Sequence, residues 1–175
     1  MIRGFLTGLL LVIVTTIFYL TFHLGLLKNV TIKEDVRGPF HVLYQEHRGA
    51  YFQISSVIMR VESQAKQENL DCLEAFGEFF DNPKEVDEDR LRSRGGCMSH
   101  APYPHVPKGN ETDRIPEQRY VVAQFDGSPA VGPWKVYPKV QAYIEEHRLH
   151  ATDEAIEIYT PKNGSIETTY LFPLK

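Results

Sequence analysis

The sequence has little of what most enzymes and nucleic-acid-binding proteins depend on. Only two of its 175 residues are cysteines, Cys72 and Cys97, and their separation matches no zinc-binding pattern. It contains no glycine-rich phosphate loop, no dinucleotide fingerprint and no nucleophile elbow. Basic residues do not outnumber acidic ones, since 19 lysines and arginines stand against 23 aspartates and glutamates. Because nucleic-acid binding requires a basic surface, we expect no nucleic-acid partner. No cofactor and no metal site is predicted.

The one long hydrophobic run lies at the N-terminus. It extends from Gly4 to Leu27, and His23 is its only titratable residue. A helix of about 20 apolar residues can span the hydrocarbon core of a bilayer. A cleaved signal peptide would have a shorter apolar core followed by small residues, so we expect an uncleaved, single-pass membrane anchor with a tether over residues 1–33. Three basic residues soon follow the run and one precedes it, which favours a cytosolic location for the rest of the chain.

The pattern of apolar residues beyond the anchor occurs twice, in units of about residues 39–98 and 118–175. Period-2 alternation indicates strands, and apolar residues at three- and four-residue spacing indicate helices. In the first unit the predicted elements are a strand over 40–47, a helix over 53–68, and strands over 73–80 and 91–98. In the second unit they are a strand over 119–125, a helix over 134–148, and strands over 155–160 and 165–172.

The spacing of the two units indicates an internal duplication. Gly49 and Gly127, which follow the first strand of each unit, lie 78 positions apart, and Glu78 and Glu157 lie 79 positions apart. We therefore predict an α+β domain over residues 38–175. Two pseudo-twofold β-α-β-β units are expected to form one antiparallel sheet with both helices on one face.

Two segments are predicted to lack regular structure. Residues 28–38 are polar and end in Gly-Pro, which indicates a short tether. Residues 99–117 contain four prolines and are interpreted as a linker between the units. If the strands on either side of residues 81–90 form a hairpin, Cys72 and Cys97 lie near its open end, where a disulfide could form. In a cytosolic domain two reduced, partly buried thiols are expected instead.

The main candidate functional residues lie on the second strand of each unit. Because side chains alternate across a strand, Ile156 and Ile158 share one face, which we expect to pack on the helices. Glu157 and Tyr159 would then face the opposite side. In the strand over 73–80, the same alternation places Phe76, Glu78 and Phe80 on one face. An aromatic cleft that contains a carboxylate attracts lipophilic cations.

Two segments and the repeated β-α-β-β pattern resemble a known family. The segments Phe79-Phe80-Asp81-Asn82-Pro83 and Glu157-Ile158-Tyr159 are similar to those of the GyrI-like domain, a small-molecule binding domain of gyrase-inhibitory proteins and multidrug regulators. The resemblance covers about residues 38–175. It implies a ligand-binding cleft between the two halves, with Glu157 facing cationic ligands and Tyr159 beside it. Less direct candidates for the same cleft are Tyr44, Phe76, Glu78, Phe80 and Trp134.

The N-terminal run followed directly by such a domain also resembles, in layout, the testis-expressed ER-phagy receptor family of animals. We therefore predict a membrane-anchored protein that binds a small lipophilic or cationic molecule. Two alternatives remain open. One is a membrane-tethered protein-interaction module, with a protein partner of unknown identity. The other is a hydrolase of electrophilic toxins that uses Glu157 as general base. Because no second catalytic group stands at a diagnostic spacing, no residue is assigned as catalytic.

Overall fold

The structure is a computed structural model that describes residues 2–162 and 165–175, with side chains from residue 8 onward. Three α-helices are present in this part of the chain, namely α1 (Ile2–His23), α2 (Ile54–Gln67) and α3 (Gly132–Glu146). The strands are β1 (Val30–Arg37), β2 (Phe40–Arg48), β3 (Glu74–Phe79), β4 (Arg92–Ser99), β5 (Glu111–Ile115), β6 (Gln118–Phe125), β7 (Ala155–Lys162) and β8 (Ser165–Pro173). The turn predicted at 161–164 lies partly outside the described residues.

All eight strands belong to one sheet, in the order β1-β6-β8-β7-β3-β4-β2-β5. Every pairing in it is antiparallel. The predicted α+β class, the antiparallel sheet and both repeated β-α-β-β element orders (β2-α2-β3-β4 and β6-α3-β7-β8) are therefore present. The strand order is symmetric about the β3–β7 pair, which joins the two halves.

The helices pack on the sheet through the apolar positions that their spacing predicts. On α2, Val57, Val61 and Ala65 are buried at four-residue intervals. The first residue of α3 must be small, because a Cβ atom on Gly132 would lie 1.9 Å from the hydroxyl oxygen of Tyr170. A proline follows in the first turn of α3, where the missing N–H group is tolerated. This proline and the contact of Gly132 with Tyr170 together determine where α3 begins on β8.

The two faces of the sheet have separate apolar clusters. The helix face contacts α2 and α3, as shown by Val136 of α3 packing with Phe125 and Tyr170. The opposite face, here called the inner face, has its own buried cluster. That cluster comprises Val42, Tyr44, Phe76, Met98, Ile115, Tyr120, Val122, Ile156, Ile158 and Leu171. Because β5 at one edge and β6 near the other both contribute to it, the sheet curls around this cluster.

Two of the sequence predictions about irregular segments are wrong. The expected tether contains β1, which pairs along its whole length with β6. The expected linker over residues 99–117 contains β5, which pairs with β2 at the other edge. Its prolines lie before and after the strand, so residues 111–115 keep the backbone N–H groups that a strand needs.

Helix α1 covers most of the predicted membrane span. Its large apolar side chains between Leu9 and Phe22 are exposed, while residues 4–7 of the span lie outside the described side chains. Within the part of the chain that the structure describes, no helix has the length and apolar character needed to cross a membrane. The predicted single-pass anchor is therefore not supported by the structure.

The C-terminal end of α1 packs directly against the connection between β6 and α3. Gly25 has a left-handed backbone (φ +72°), and a Cβ atom there would lie 2.9 Å from the Cα of Gly127. The Lys135 ammonium group of α3 donates hydrogen bonds to the carbonyls of Leu26 and Lys28. Lys28 in turn forms an ion pair with Asp126 at 3.3 Å. These contacts replace the flexible tether that the sequence suggested.

Cys72 and Cys97 form a disulfide, with their Cα atoms 4.9 Å apart. The predicted β3–β4 hairpin is present, and its pairing of Ala75 with Cys97 brings the two cysteines together at its open end. The expectation of two reduced thiols is therefore wrong for this structure. The bond ties the connection between α2 and β3 to a buried position on β4.

Removal of the disulfide should destabilise the domain. A cross-link between residues 25 positions apart restricts the unfolded chain, so Cys72→Ser is expected to lower the free energy of unfolding by about 3 kcal/mol. Urea denaturation with and without dithiothreitol measures this difference. Reductant should lower the stability of the wild type to the same level and leave Cys72→Ser unchanged. Equal stability of the wild type in both conditions would contradict the prediction.

Candidate functional site

Glu157 is the third residue of β7, beneath the region where α3 packs on the sheet. Its two carboxylate oxygens are bound by two tyrosine hydroxyls. The Tyr137 hydroxyl, from α3, donates to Oε1 at 3.0 Å, and the Tyr159 hydroxyl, two residues along the same strand, donates to Oε2 at 2.9 Å. We call this arrangement the Glu157 site.

The Glu157 site is buried and lacks a positive charge. The residue is only 4% exposed, and no lysine or arginine among the described residues forms an ion pair with it. Burial raises the pKa of the Glu157 carboxyl to about 7, although the hydrogen bonds from Tyr159 and Tyr137 favour the ionised form. Burial and the neighbouring Glu157 charge also raise the pKa values of both tyrosines, so they remain neutral donors.

The strands on either side of Glu157 shape the site differently. On β3 the paired residue is Gly77, where a Cβ atom would lie 3.2 Å from the Phe79 ring and 3.7 Å from the Tyr159 hydroxyl. On β8 the paired residue is Tyr170, whose ring meets that of Tyr137 edge-on with centroids 6.1 Å apart. A side chain at Gly77 would therefore crowd the Phe79 ring, whereas its contact with the Tyr159 hydroxyl would be an ordinary van der Waals contact.

The predicted orientation of β7 is reversed in the structure. Ile156 and Ile158 belong to the inner cluster, whereas Glu157 contacts Tyr137 of α3 and Tyr159 packs with apolar residues of α2. The expectation that the isoleucines pack on the helices is wrong because the inner face is also apolar and buried. Glu157 is consequently covered by helix rather than lying on an open sheet surface.

The two glutamates do not occupy equivalent positions. Glu78 pairs with Ile156 across the β3–β7 ladder and so lies on the inner face, while Gly77 pairs with Glu157. Burial raises the pKa of Glu78, and its bond to Arg94 of β4 (Nε to Oε2, 2.5 Å) opposes that rise. The charge of Glu78 is thus neutralised within the protein, unlike that of Glu157.

The aromatic candidates divide between three places. Tyr44 and Phe80 flank the Arg94 guanidinium, with ring centroids 4.6 and 5.7 Å from its central carbon. Phe76 is fully buried in the inner cluster. Trp134 is 85% exposed at the beginning of α3. The structure thus brings Glu157 and Tyr159 together at one place, and gathers three other predicted residues, Glu78, Tyr44 and Phe80, around Arg94 at another.

Two residues that organise these clusters were not predicted from the sequence. Tyr137 lies between the buried residues of α3, and a phenol on an apolar helix surface needs a hydrogen-bond acceptor, which was the available signal. Arg94 alternates with Arg92 along β4 and carried no comparable signal. Their partners, Glu157 and Glu78, lie on strands distant in sequence, so the pairing depends on the tertiary fold.

The chemistry of the Glu157 site is that of a carboxyl group that changes its charge near neutral pH. In its neutral form it can remain buried at low cost. When it is ionised, two phenol donors stabilise it, but no cation among the residues that the structure describes balances its charge. The arrangement can therefore accept a positively charged group, or exchange a proton, at the centre of the domain.

The chain was compared with known families and solved structures. The model of the family described as "GyrI-like small molecule binding domain" matches residues 29–175. A chain of EcmrR from an EcmrR–DNA complex has a TM-score of 0.65 at 13% identity, with 99% of this chain and 68% of that chain covered. The isolated C-terminal domain of EcmrR has a TM-score of 0.60 at 15% identity, with 84% and 97% covered. No match is found among curated proteins.

A third similar structure contains a bound small molecule. SAV2435, described as bound to tetraphenylphosphonium, has a TM-score of 0.52 at 11% identity, with 84% of this chain and 94% of that chain covered. At these identities the similarity concerns the fold alone. No member of the testis-expressed ER-phagy receptor family is among these findings, so that resemblance in layout is not supported.

The titration of Glu157 should be visible in the stability of the protein. Because the folded pKa (about 7) exceeds the usual value of 4.5, the folded state holds the proton more tightly. This contribution is complete below about pH 4.5 and is lost as the pH rises to about 7, a change of about 3 kcal/mol. Glu157→Gln should remove this component from urea-denaturation measurements made between pH 4.5 and 8.5.

The matched control for this experiment is Glu146→Gln, which changes an exposed glutamate on α3. Its stability should follow the wild-type pH dependence throughout. If Glu157→Gln and the wild type lose stability in parallel over this range, Glu157 does not have a raised pKa.

Proposed function

Because the chain belongs to the family of GyrI-like small-molecule binding domains, we propose that it binds a small lipophilic cation at the Glu157 site. The observation that carries this proposal is the buried carboxyl group bonded to two neutral phenols, with no cationic partner in the described part of the chain. Ionisation of such a group is costly unless a positive charge lies close to it. A cationic ligand would provide that charge, and the surrounding aromatic rings would contact its apolar groups.

Access to the carboxylate requires a rearrangement. Both oxygens are already occupied, and Tyr137 and Tyr159 separate them from solvent. Tyr137 belongs to α3, whereas Tyr159 is held in the sheet. In our proposal the ligand displaces the Tyr137 hydroxyl, with some movement of α3, and the Tyr159 hydroxyl continues to orient the carboxylate. Glu78 takes no part, because Arg94 already neutralises it.

The other predicted site residues have no direct role in this proposal. Tyr44 and Phe80 contact Arg94, Phe76 fills the inner cluster, and Trp134 is exposed. The proposed site therefore comprises Glu157, Tyr159 and Tyr137. The aromatic residues Tyr170 and Phe172, which meet the Tyr137 ring edge-on, would form its wall.

Tetraphenylphosphonium is a suitable probe, since it is a permanent lipophilic cation and SAV2435 is described as bound to it. The full chain in detergent micelles should bind it saturably in isothermal titration calorimetry. At pH 7 about half of the Glu157 groups carry a proton, so binding should release about half a proton per ligand. Measurements in buffers of different ionisation enthalpy quantify this release, which should disappear at pH 8.5.

Glu157→Gln should weaken binding at pH 8.5 by about tenfold or more and abolish proton release, because the ionic contact is lost. Glu146→Gln is the control for a change in net charge and for uptake by the micelles. The proposal fails if Glu157→Gln binds tetraphenylphosphonium as tightly as Glu146→Gln. It also fails if the wild type releases no proton at pH 7.

We propose further that the protein attaches to a membrane through α1. The exposed side chains from Leu9 to Phe22 form an apolar surface on all sides of the helix, and such a surface is seldom left in water. The basic residues that follow α1 favour a cytosolic domain, whereas the disulfide favours an oxidising compartment. Protease protection in sealed microsomes distinguishes these two orientations.

Attachment is tested by expressing the full chain and a variant that lacks residues 1–23. The full chain should remain in the membrane pellet after extraction with alkaline carbonate, because the apolar helix surface is buried in lipid. The shortened chain should be recovered in the supernatant. Complete release of the full chain by carbonate would rule out attachment through α1.

A further inference from the structure

A second polar region lies where β2 ends beside the segment that connects β3 and β4. Two cavities, of about 440 and 300 Å³, open there. Arg48 and Arg92 line both of them, and Arg90 lines the smaller one. Glu157 and its tyrosines line neither cavity, so this region is separate from the Glu157 site.

The smaller cavity has an excess of positive charge in a chain whose net charge is −4. Three guanidinium groups and one carboxylate, that of Asp81, line it. Arg92 binds both oxygens of Asp81, with Nη2 at 2.7 Å from Oδ1 and Nε at 3.1 Å from Oδ2. Arg48 forms no ion pair among the described residues, and Arg90 forms a long one, 3.9 Å from exposed Asp87. The hydrogen bond from Arg92 and, to a smaller extent, the charge of Arg48 lower the pKa of the Asp81 carboxyl, so both arginines depend on one carboxylate.

The backbone holds two of these positive charges beside one another. Arg48 and Arg92 are directly paired in the antiparallel β2–β4 ladder, so their side chains leave the same face of the sheet. Like charges in this position destabilise a sheet. An anion bound between the two side chains would remove that repulsion, and Arg is well suited to the geometry of a phosphate group.

The larger cavity adds groups that would contact the rest of a ligand. Phe80 contributes an aromatic ring, Glu46 a carboxylate and His47 an imidazole. Ser93 also lines this cavity, but its side chain leaves the opposite face of β4 from Arg92 and faces the helices with its paired residue Phe79. The Phe80 ring is therefore the group suited to the organic part of a ligand.

We propose that the two cavities form a binding site for a phosphate monoester. Its phosphate oxygens contact Arg48, Arg90 and Arg92, and its organic group lies against Phe80 in the larger cavity. The site is independent of cation binding at Glu157 and would remain if that proposal failed.

Phenyl phosphate is the probe, since it combines the phosphate with an aromatic group. Isothermal titration calorimetry of the full chain should show saturable binding of phenyl phosphate. Its affinity should be at least about fivefold higher than that of inorganic phosphate, because only the ester contacts Phe80. Phenol should not bind detectably. Equal affinity for phenyl phosphate and inorganic phosphate, or no binding of phenyl phosphate, would overturn the proposal.

Arg48→Gln and Arg90→Gln should each weaken phenyl phosphate binding by about tenfold, because each removes a charge-assisted hydrogen bond. Both side chains are exposed, so the variants should fold, and their thermal melting verifies this. Arg114→Gln, an exposed arginine on β5, is the matched control and should bind like the wild type. Equal weakening in all three variants would indicate nonspecific electrostatics and overturn the site.

Two further measurements test whether the ligand is a lipid or a soluble ester, and whether this site is independent of the Glu157 site. Vesicles that contain phosphatidic acid present the same chemistry on a lipid, and competition by phenyl phosphate would show that lipid and soluble esters share this site. Glu157→Gln should bind phenyl phosphate normally. A loss of phenyl phosphate binding in that variant would contradict the separation of the two sites.

Discussion

The antiparallel ladder between β3 and β7 joins the two halves of the sheet. It pairs five residues on each strand, from Ala75 opposite Tyr159 to Phe79 opposite Ala155. This register decides which face each glutamate occupies. It places Glu157 opposite Gly77 and Glu78 opposite Ile156, so one carboxylate is covered by the helices and the other meets Arg94. A shift by one residue would exchange the faces of β7 and remove both arrangements.

The elements whose residues follow a local period could be predicted from the sequence. The helix that contains Val57 and Val61 and the strands of the two β-α-β-β units lie within a few residues of their expected positions. The edge strands β1 and β5 were missed because they are polar and are defined by partners far away in the chain. The prediction of which β7 side chains face the helices was wrong for a different reason. Both faces of the sheet are buried, so an isoleucine at position 156 does not reveal which side carries the helices.

The identity of Glu157 as a site residue could be inferred from its sequence context, but its environment could not. The environment of the carboxylate is defined by the hydroxyls of Tyr137, twenty positions earlier on α3, and of Tyr159 on its own strand. The contrast with Glu78 is instructive. Both glutamates are buried in strands, yet the one with an arginine partner forms a structural ion pair and the one with only phenols has a pKa near 7. The partner, rather than burial alone, separates these roles.

The contacts at the end of α1 link the N-terminal segment to helix α3. Lys135 of α3 binds the carbonyls of Leu26 and Lys28, and Tyr137, two residues further along α3, covers Glu157. A rigid helix therefore connects the cover of the buried carboxylate to the segment that follows α1. Any displacement of α3 that uncovers Glu157 must either break the Lys135 contacts or carry the end of α1 with it. In the proposed binding mode, the displacement of Tyr137 from Glu157 is thus coupled to the position of α1 relative to the domain.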